Sequence, residues 1–175
     1  MDFAKLAEER YSVRKFTDQA VEKEALESIL RAGRIAPTAA NRQPQRILVV
    51  NDAEGMEKLG KCTKYKFGQT AAFIVCADES AAWVRSFDGD NSGAVDAAIV
   101  TAHMMLQAAD LGLGTTWIGN FDPAKVAVEF NLPDGVKPVA ILPLGHPAAD
   151  AEKSPKHFDK LPPEQVVFYG SFPPA

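Results

Sequence analysis

Two cysteines in 175 residues leave little room for thiol chemistry. Cys62 and Cys76 lie too far apart for a Cys-x-x-Cys redox pair and match no zinc spacing, so both are expected as reduced thiols, Cys76 within a strand. Histidine is equally scarce. His103, His146 and His157 are scattered without a ligand pattern, and no metal centre is expected. A basic excess is also missing. With a formal net charge of -4, the chain has no general attraction for nucleic acid or an anionic membrane, so any phosphate site must be local. No apolar run is long enough for a bilayer span, and Asp2, Glu8 and Glu9 make the N-terminal residues unlike a secretion signal. A cytoplasmic location is the default expectation.

What is present suits an ordinary globular protein. Hydrophobic residues make up 46% and charged residues 24%, and the length fits one domain, residues 1–175, with a substantial core. Neither a repeat nor a second domain is visible.

Local signals alternate between helix and strand. Asp2 can cap a short helix over residues 2–10, and Leu26, Ile29 and Leu30 carry a second from Glu22 to Ala36, with Pro37 marking its end. The segment from Pro37 to Gln45, punctuated by two prolines, reads as a loop of small and amide side chains. Ile47 to Val50 reads as a strand, Glu54 to Gly60 as a short helix, and Ala72 to Ala77 as a strand buried on both faces. Residues 80–91 lack periodicity and could form an excursion or lid.

Ser92 to Leu111 is the longest helical signal, stopped by Gly112. Its apolar residues surround it on nearly every side. It is therefore expected between its own sheet and another subunit, or alternatively as the central core helix of a monomer. Asp96 and His103 are its polar exceptions, read as satisfied core groups. Asp122-Pro123 starts a helix to about Phe130, and Lys137 to Leu144 supplies another strand. Past Ala148 the chain is rich in proline and charge, but Val166 to Tyr169 reads as a strand that pairs with a sheet elsewhere, that of a partner subunit included. Roughly four or five strands mixed with helices point to an α+β fold or three-layer α/β sandwich.

The stretch Arg10-Tyr11-Ser12-Val13-Arg14 holds the chemistry. If extended, it projects Arg10, Ser12 and Arg14 on one face, two guanidinium forks around a hydroxyl, while Tyr11 and Val13 turn inward. That set can grip a phosphate, or it can be a solvated basic turn. Lys64 and Lys66 add a second basic cluster. Gly112-Leu113-Gly114-Thr115-Thr116-Trp117 is not a dinucleotide fingerprint, because Trp117 occupies the third glycine position and the glycines follow a helix instead of opening one.

Four motifs in order resemble the FMN-dependent nitroreductase family across nearly the whole chain. They are Arg10 to Arg14, Pro37-Thr38-Ala39-Ala40-Asn41-Arg42-Gln43-Pro44, Gly112 to Gly119, and Leu144-Gly145-His146-Pro147. The resemblance implies a three-layer α/β/α sandwich with a mainly antiparallel central sheet, helices on both faces and a swapped C-terminal extension. It further implies a homodimer with FMN at the subunit interface, while the net charge and the lack of a spanning run leave no nucleic-acid or membrane partner expected. Arg10 and Ser12 would hold the phosphate, Tyr11 between them would count among the cofactor-binding residues, and Arg14 would lie toward the ribityl chain and pyrimidine edge. Thr38, Ala39, Ala40, Asn41 and Gln43 would come from the other subunit, Asn41 and Gln43 giving amide hydrogen bonds. Thr116, Ile118 and Gly119 would line the ring's other side. Lys160, before Leu161-Pro162, would return to the phosphate, with Lys156 a second candidate and Lys64 or Lys66 possible cations near the ring.

The activity implied is hydride transfer from NADH or NADPH through FMN to a nitroaromatic, quinone or related small-molecule acceptor, by a ping-pong scheme in which the flavin N5 and no protein side chain carries the chemistry. The same fold and flavin also allow reductive dehalogenation, flavin breakdown or non-catalytic flavin binding. Ala39 and Ala40 stand where relatives often carry serine, and Gln45 where many have tryptophan, departures that bear on substrate preference.

Overall fold

The computed structural model describes residues 2–173. Asp2 accepts a hydrogen bond from Lys5 N and starts α1 (Phe3–Glu9). Helix α2 (Lys23–Ile35) buries Leu26, Ile29 and Gly33, and it stops where Ala36 turns extended ahead of Pro37. After the loop come β1 (Gln45–Val50), α3 (Ala53–Cys62) and β2 (Ala71–Asp78). Then follow α4 (Gly93–Asp110), β3 (Gly114–Thr115), α5 (Pro123–Glu129) and β4 (Val136–Gly145).

Among the described residues the strands form one four-stranded antiparallel sheet in the order β1-β2-β4-β3. The α+β expectation holds, and the reason lies in β2. Its side chains alternate across the pleat. Ala71, Phe73, Val75 and Ala77 join Leu142 and Leu144 under α2 and α4, while Ala72, Ile74 and Cys76 join Ile141 with Leu59, Cys62 and Val126 of α3 and α5. A strand buried on both faces is apolar throughout, which explains its unbroken run. Helices α2 and α4 pack closely: a β-carbon on Gly33 would lie 3.0 Å from Met104 Cγ.

Two expectations are corrected. Helix α4 is not buried all round within the chain. Ala97, Val100, Met104 and Ala108 belong to the core under the sheet, but Ala94 and Ala102 are exposed and Val95 is 60% exposed, so among the described residues part of α4 is left uncovered. The central-core-helix alternative therefore does not describe it. Residues 166–169 form no strand. A 3-10 turn at Pro163–Gln165 leads into an irregular, exposed tail in which Tyr169 is 92% exposed. High strand propensity needs a ladder partner, and among the described residues of its own chain none lies beside this segment.

Residues 80–91 close on themselves. Val84 bridges Asn91, and Arg85 grips Asp88 at 2.7 Å and Asp90 at 3.2 Å, leaving Phe87 in solvent at the tip.

Candidate functional site

The basic stretch is extended, and the sheet holds it. Ser12 bridges Thr115 in parallel, Val13 N donates to Thr115 O at 2.9 Å, and Phe16 bridges Pro147 beyond the end of β4. Two glycines make this close approach possible: a β-carbon on Gly114 would meet Val13, and one on Gly145 would meet the Phe16 ring at 3.0 Å. Val13 is buried and Arg14 is exposed, as alternation requires. Arg14 Nη1 donates to Ser12 O at 3.2 Å, which holds the guanidinium back along its own strand.

Past β3 the chain drops into a buried segment. Thr116 and Ile118 are buried, and Ile118 exchanges two backbone hydrogen bonds with Ile141, of 2.9 and 3.1 Å. Arg14, Thr116, Trp117, Ile118, Gly119 and Asn120 thereby meet around one cleft of about 340 Å³, with Tyr65 and Phe67 as its aromatic wall. Those two rings stack at 6.0 Å with 26° between their planes, and Lys64 Nζ stands 5.6 Å from the Tyr65 centroid. At Gly119 a β-carbon would find only Trp117 Nε1, at 3.8 Å, so the backbone there is open to a close approach.

The remaining expected residues lie elsewhere. Arg10 and Tyr11 line a different hollow of about 180 Å³ with Leu6, Val13, Thr115 and Pro147. Tyr11 Oη donates to Ala151 O at 3.3 Å, tying the stretch to the C-terminal segment. Thr38 to Gln43 forms the loop between α2 and β1, shaped by a 3-10 turn at Ala39–Asn41. Ala40, Asn41 and Gln43 all have positive φ, near 50°, and Thr38 Oγ1 accepts from Gln43 N at 3.1 Å. Ala40, Asn41 and Gln43 are exposed and outside the Arg14 cleft of their own chain. Lys160 and Lys156 are exposed on the tail, and Lys66 lies beside Gly60 in another hollow.

Tyr65 and Phe67 were missed as site residues. The available signal was their alternation with Lys64 and Lys66 in a segment without helical periodicity. Asp96 also does more than fill the core, since its Oδ1 accepts from Ala39 N at 2.8 Å. Nearby ionisation is conventional in cause. The hydrogen bond from Lys15 holds the Asp150 carboxyl below the usual range, and burial pushes the Cys76 thiol up to about 11. Among the described residues no cluster of histidine, cysteine or carboxylate side chains could hold a metal ion, and no helix is long and apolar enough to cross a membrane.

Comparison with known proteins gives a consistent picture. The model of the nitroreductase family matches residues 7–65 and 60–146. A protein of Methanothermobacter thermautotrophicus, provisionally named NADH dehydrogenase/NAD(P)H nitroreductase, is 30% identical over 95% of this chain and 86% of its own length. The FMN reductase [NAD(P)H] of Bacillus subtilis is 32% identical over 89% of this chain and 68% of its own. A crystal structure of a nitroreductase family protein from Clostridium difficile 630 superimposes with a TM-score of 0.93 at 42% identity, covering 98% of this chain and 100% of that one.

Proposed function

This chain belongs to the nitroreductase family, and from that premise we propose that it is an NAD(P)H-dependent FMN oxidoreductase acting on nitroaromatics, quinones or related small acceptors. The observation that carries the reading is the meeting of Arg14 with Thr116, Ile118 and Gly119 around one cleft. The residues there fit a flavin. A fixed cation stands at one side, an aromatic pair forms a wall, and the bare backbone at Gly119 admits a planar ring at close range. The Bacillus subtilis relative is named an FMN reductase [NAD(P)H], which supports FMN as the flavin this site takes.

Bound FMN supplies the hydride chemistry, so no nucleophile or general base is required of the protein. With FMN held in this cleft, the permanent charge of Arg14 would stabilise the negative charge that reduction adds to the ring and so favour the reduced form. Tyr65 and Phe67 keep water from one side and offer planar surfaces to nicotinamide or an aromatic acceptor, which occupy the cleft in turn. Arg10 and Ser12 would take the phosphate end, and the bridge of Ser12 to Thr115 supports this by holding that backbone against the sheet.

Two copies of the chain, each a single FMN-binding unit over residues 1–175, complete the site. Asn41 and Gln43, and Lys160 on the tail, reach a cleft they do not line in their own chain. Exposed apolar side chains support this assembly: Phe3 of α1, Ile35 of α2 and Val95 of α4, and Phe158, Leu161 and Phe172 along the tail. Two buried free thiols suit a reducing cytoplasm.

The absorbance spectrum of the purified protein tests the reading, followed by anaerobic addition of NADH and of NADPH. A yellow protein bleached by one or both is expected. A colourless protein that takes up no FMN removes the proposal, and acceptors added singly to the reduced protein then identify which are used.

A further inference from the structure

Asp96 lies in the first turn of α4 with 2% of its surface exposed. Neutral donors engage both carboxylate oxygens: Oδ1 accepts from Ala39 N at 2.8 Å, and Oδ2 accepts from Ser92 Oγ at 2.8 Å. Burying a carboxylate with neutral partners alone is unfavourable unless its hydrogen bonds are well formed. The negative end here gains from the N-terminal turn of α4 and from the greater strength of an N–H···O⁻ bond.

What Asp96 grips explains the arrangement. Ala39 opens the loop in which Ala40, Asn41 and Gln43 take φ of 48°, 54° and 52°, a region that a β-carbon disfavours. Such conformations persist only where their surroundings over-determine them. Among the described residues, the other hydrogen bonds of residues 38–43 are local and reach no further along the chain than Arg46. Asp96, on α4, is the hydrogen-bonding tie that anchors the loop to the core.

We infer that Asp96 is a positioning residue, whose carboxylate fixes loop 38–43 in the strained conformation that presents the Asn41 and Gln43 amides to the cofactor. This rests on the FMN reading of the site. The residue touches neither the flavin nor the reacting atoms, and it acts through the loop.

Two readouts on Asp96→Ala and Asp96→Asn test the inference. One is the FMN dissociation constant from fluorescence titration of flavin-free protein. The other is the rate of trypsin cleavage after Arg42 in that same flavin-free protein. Asp96→Ala is expected to weaken FMN about tenfold or more, the loss due to one charged hydrogen bond, and to speed cleavage after Arg42 relative to other sites. Asp96→Asn keeps a carbonyl acceptor for Ala39 N and should recover most of both. Should Asp96→Ala fail to fold, Ser92→Ala removes one support of the carboxylate and should move both readouts the same way by about threefold. A folded Asp96→Ala protein with unchanged FMN affinity overturns the inference, whatever its cleavage rate. If the wild-type protein takes up no FMN, the cofactor reading falls by itself, and cleavage after Arg42 alone decides whether Asp96 holds the loop.

Discussion

Gly114 and Val13 pack so closely that a β-carbon on Gly114 would lie 2.7 Å from Val13 Cγ2. The N-terminal strand and the cleft segment therefore meet with no side chain between them on the Gly114 side. Gly114→Ala should destabilise the fold by about 1–3 kcal/mol through overpacking. Adding Val13→Ala should return part of that loss, a coupling readable in urea unfolding midpoints. Simple addition of the two costs would refute the contact as the cause.

Arg14 and Arg10 line different hollows, so their replacements should differ in kind. Arg14→Ala should weaken FMN about tenfold and lower the reduction potential of the bound flavin by about 30 mV, the tenfold equivalent for a two-electron couple. Arg14→Lys should keep most of the potential while losing affinity, because the charge stays and the fork goes. Arg10→Ala should cost affinity and leave the potential in place. Spectroelectrochemical titration separates these outcomes, and a potential indifferent to Arg14 would place the guanidinium away from the ring.

Acid should weaken the fold in a defined window. The carboxyl of Asp78 is held below its ordinary range chiefly by the Ser80 hydroxyl at 2.6 Å, with Arg46 contributing, and that of Asp88 by Arg85. A pKa lower in the folded state stabilises above the unfolded value and loses that contribution as pH falls through the folded one. The melting temperature should thus change little from pH 7 to about 5 and drop below about pH 4. Asp78→Asn should flatten that drop, and an unchanged slope would show that other groups cause it.

Both thiols should resist alkylation until the protein unfolds. Cys76 is buried with its pKa pushed to about 11, and burial likewise raises that of Cys62. Since the thiolate is the reactive form, iodoacetamide at pH 8 should label neither residue in the native state. Labelling in urea should follow the unfolding curve. Prompt native labelling would mean that the α3 end opens locally.

Much of this architecture was legible because short-range rules decide it. Leu26 and Ile29 gave α2 its face, the unbroken run around Phe73 marked a strand covered on both sides, and Asp122-Pro123 started α5 where expected. Gly112, at φ 75°, ends the longest helix. The family motifs marked Arg14 and the Thr116 to Gly119 segment, which meet in space. What remained hidden depends on partners distant in the chain. Tyr65 and Phe67 lie in a segment with no periodicity, and their role emerges only when the sheet brings Arg14 alongside. Asp96 looked like an ordinary core polar group because its hydrogen-bond partner Ala39 belongs to another element. The tail at residues 166–169 has the composition of a strand but no ladder beside it, and propensity alone cannot supply one.

The central strand β4 carries Pro138 and Pro143, opposite Cys76 and Ala72. Ile141 N donates outward to Ile118 O, so the ring nitrogen of Pro143, two residues on, faces the same flank and leaves a gap in its row of donors. On the opposite flank, β1 follows Pro44 and exposes Arg46. The outer side of β3 is itself occupied, because Ser12 bridges Thr115 and Val13 N donates to Thr115 O. The edge beside the cleft can stay only two residues long because the chain's own N-terminal stretch, and not a fifth strand, takes up its free groups.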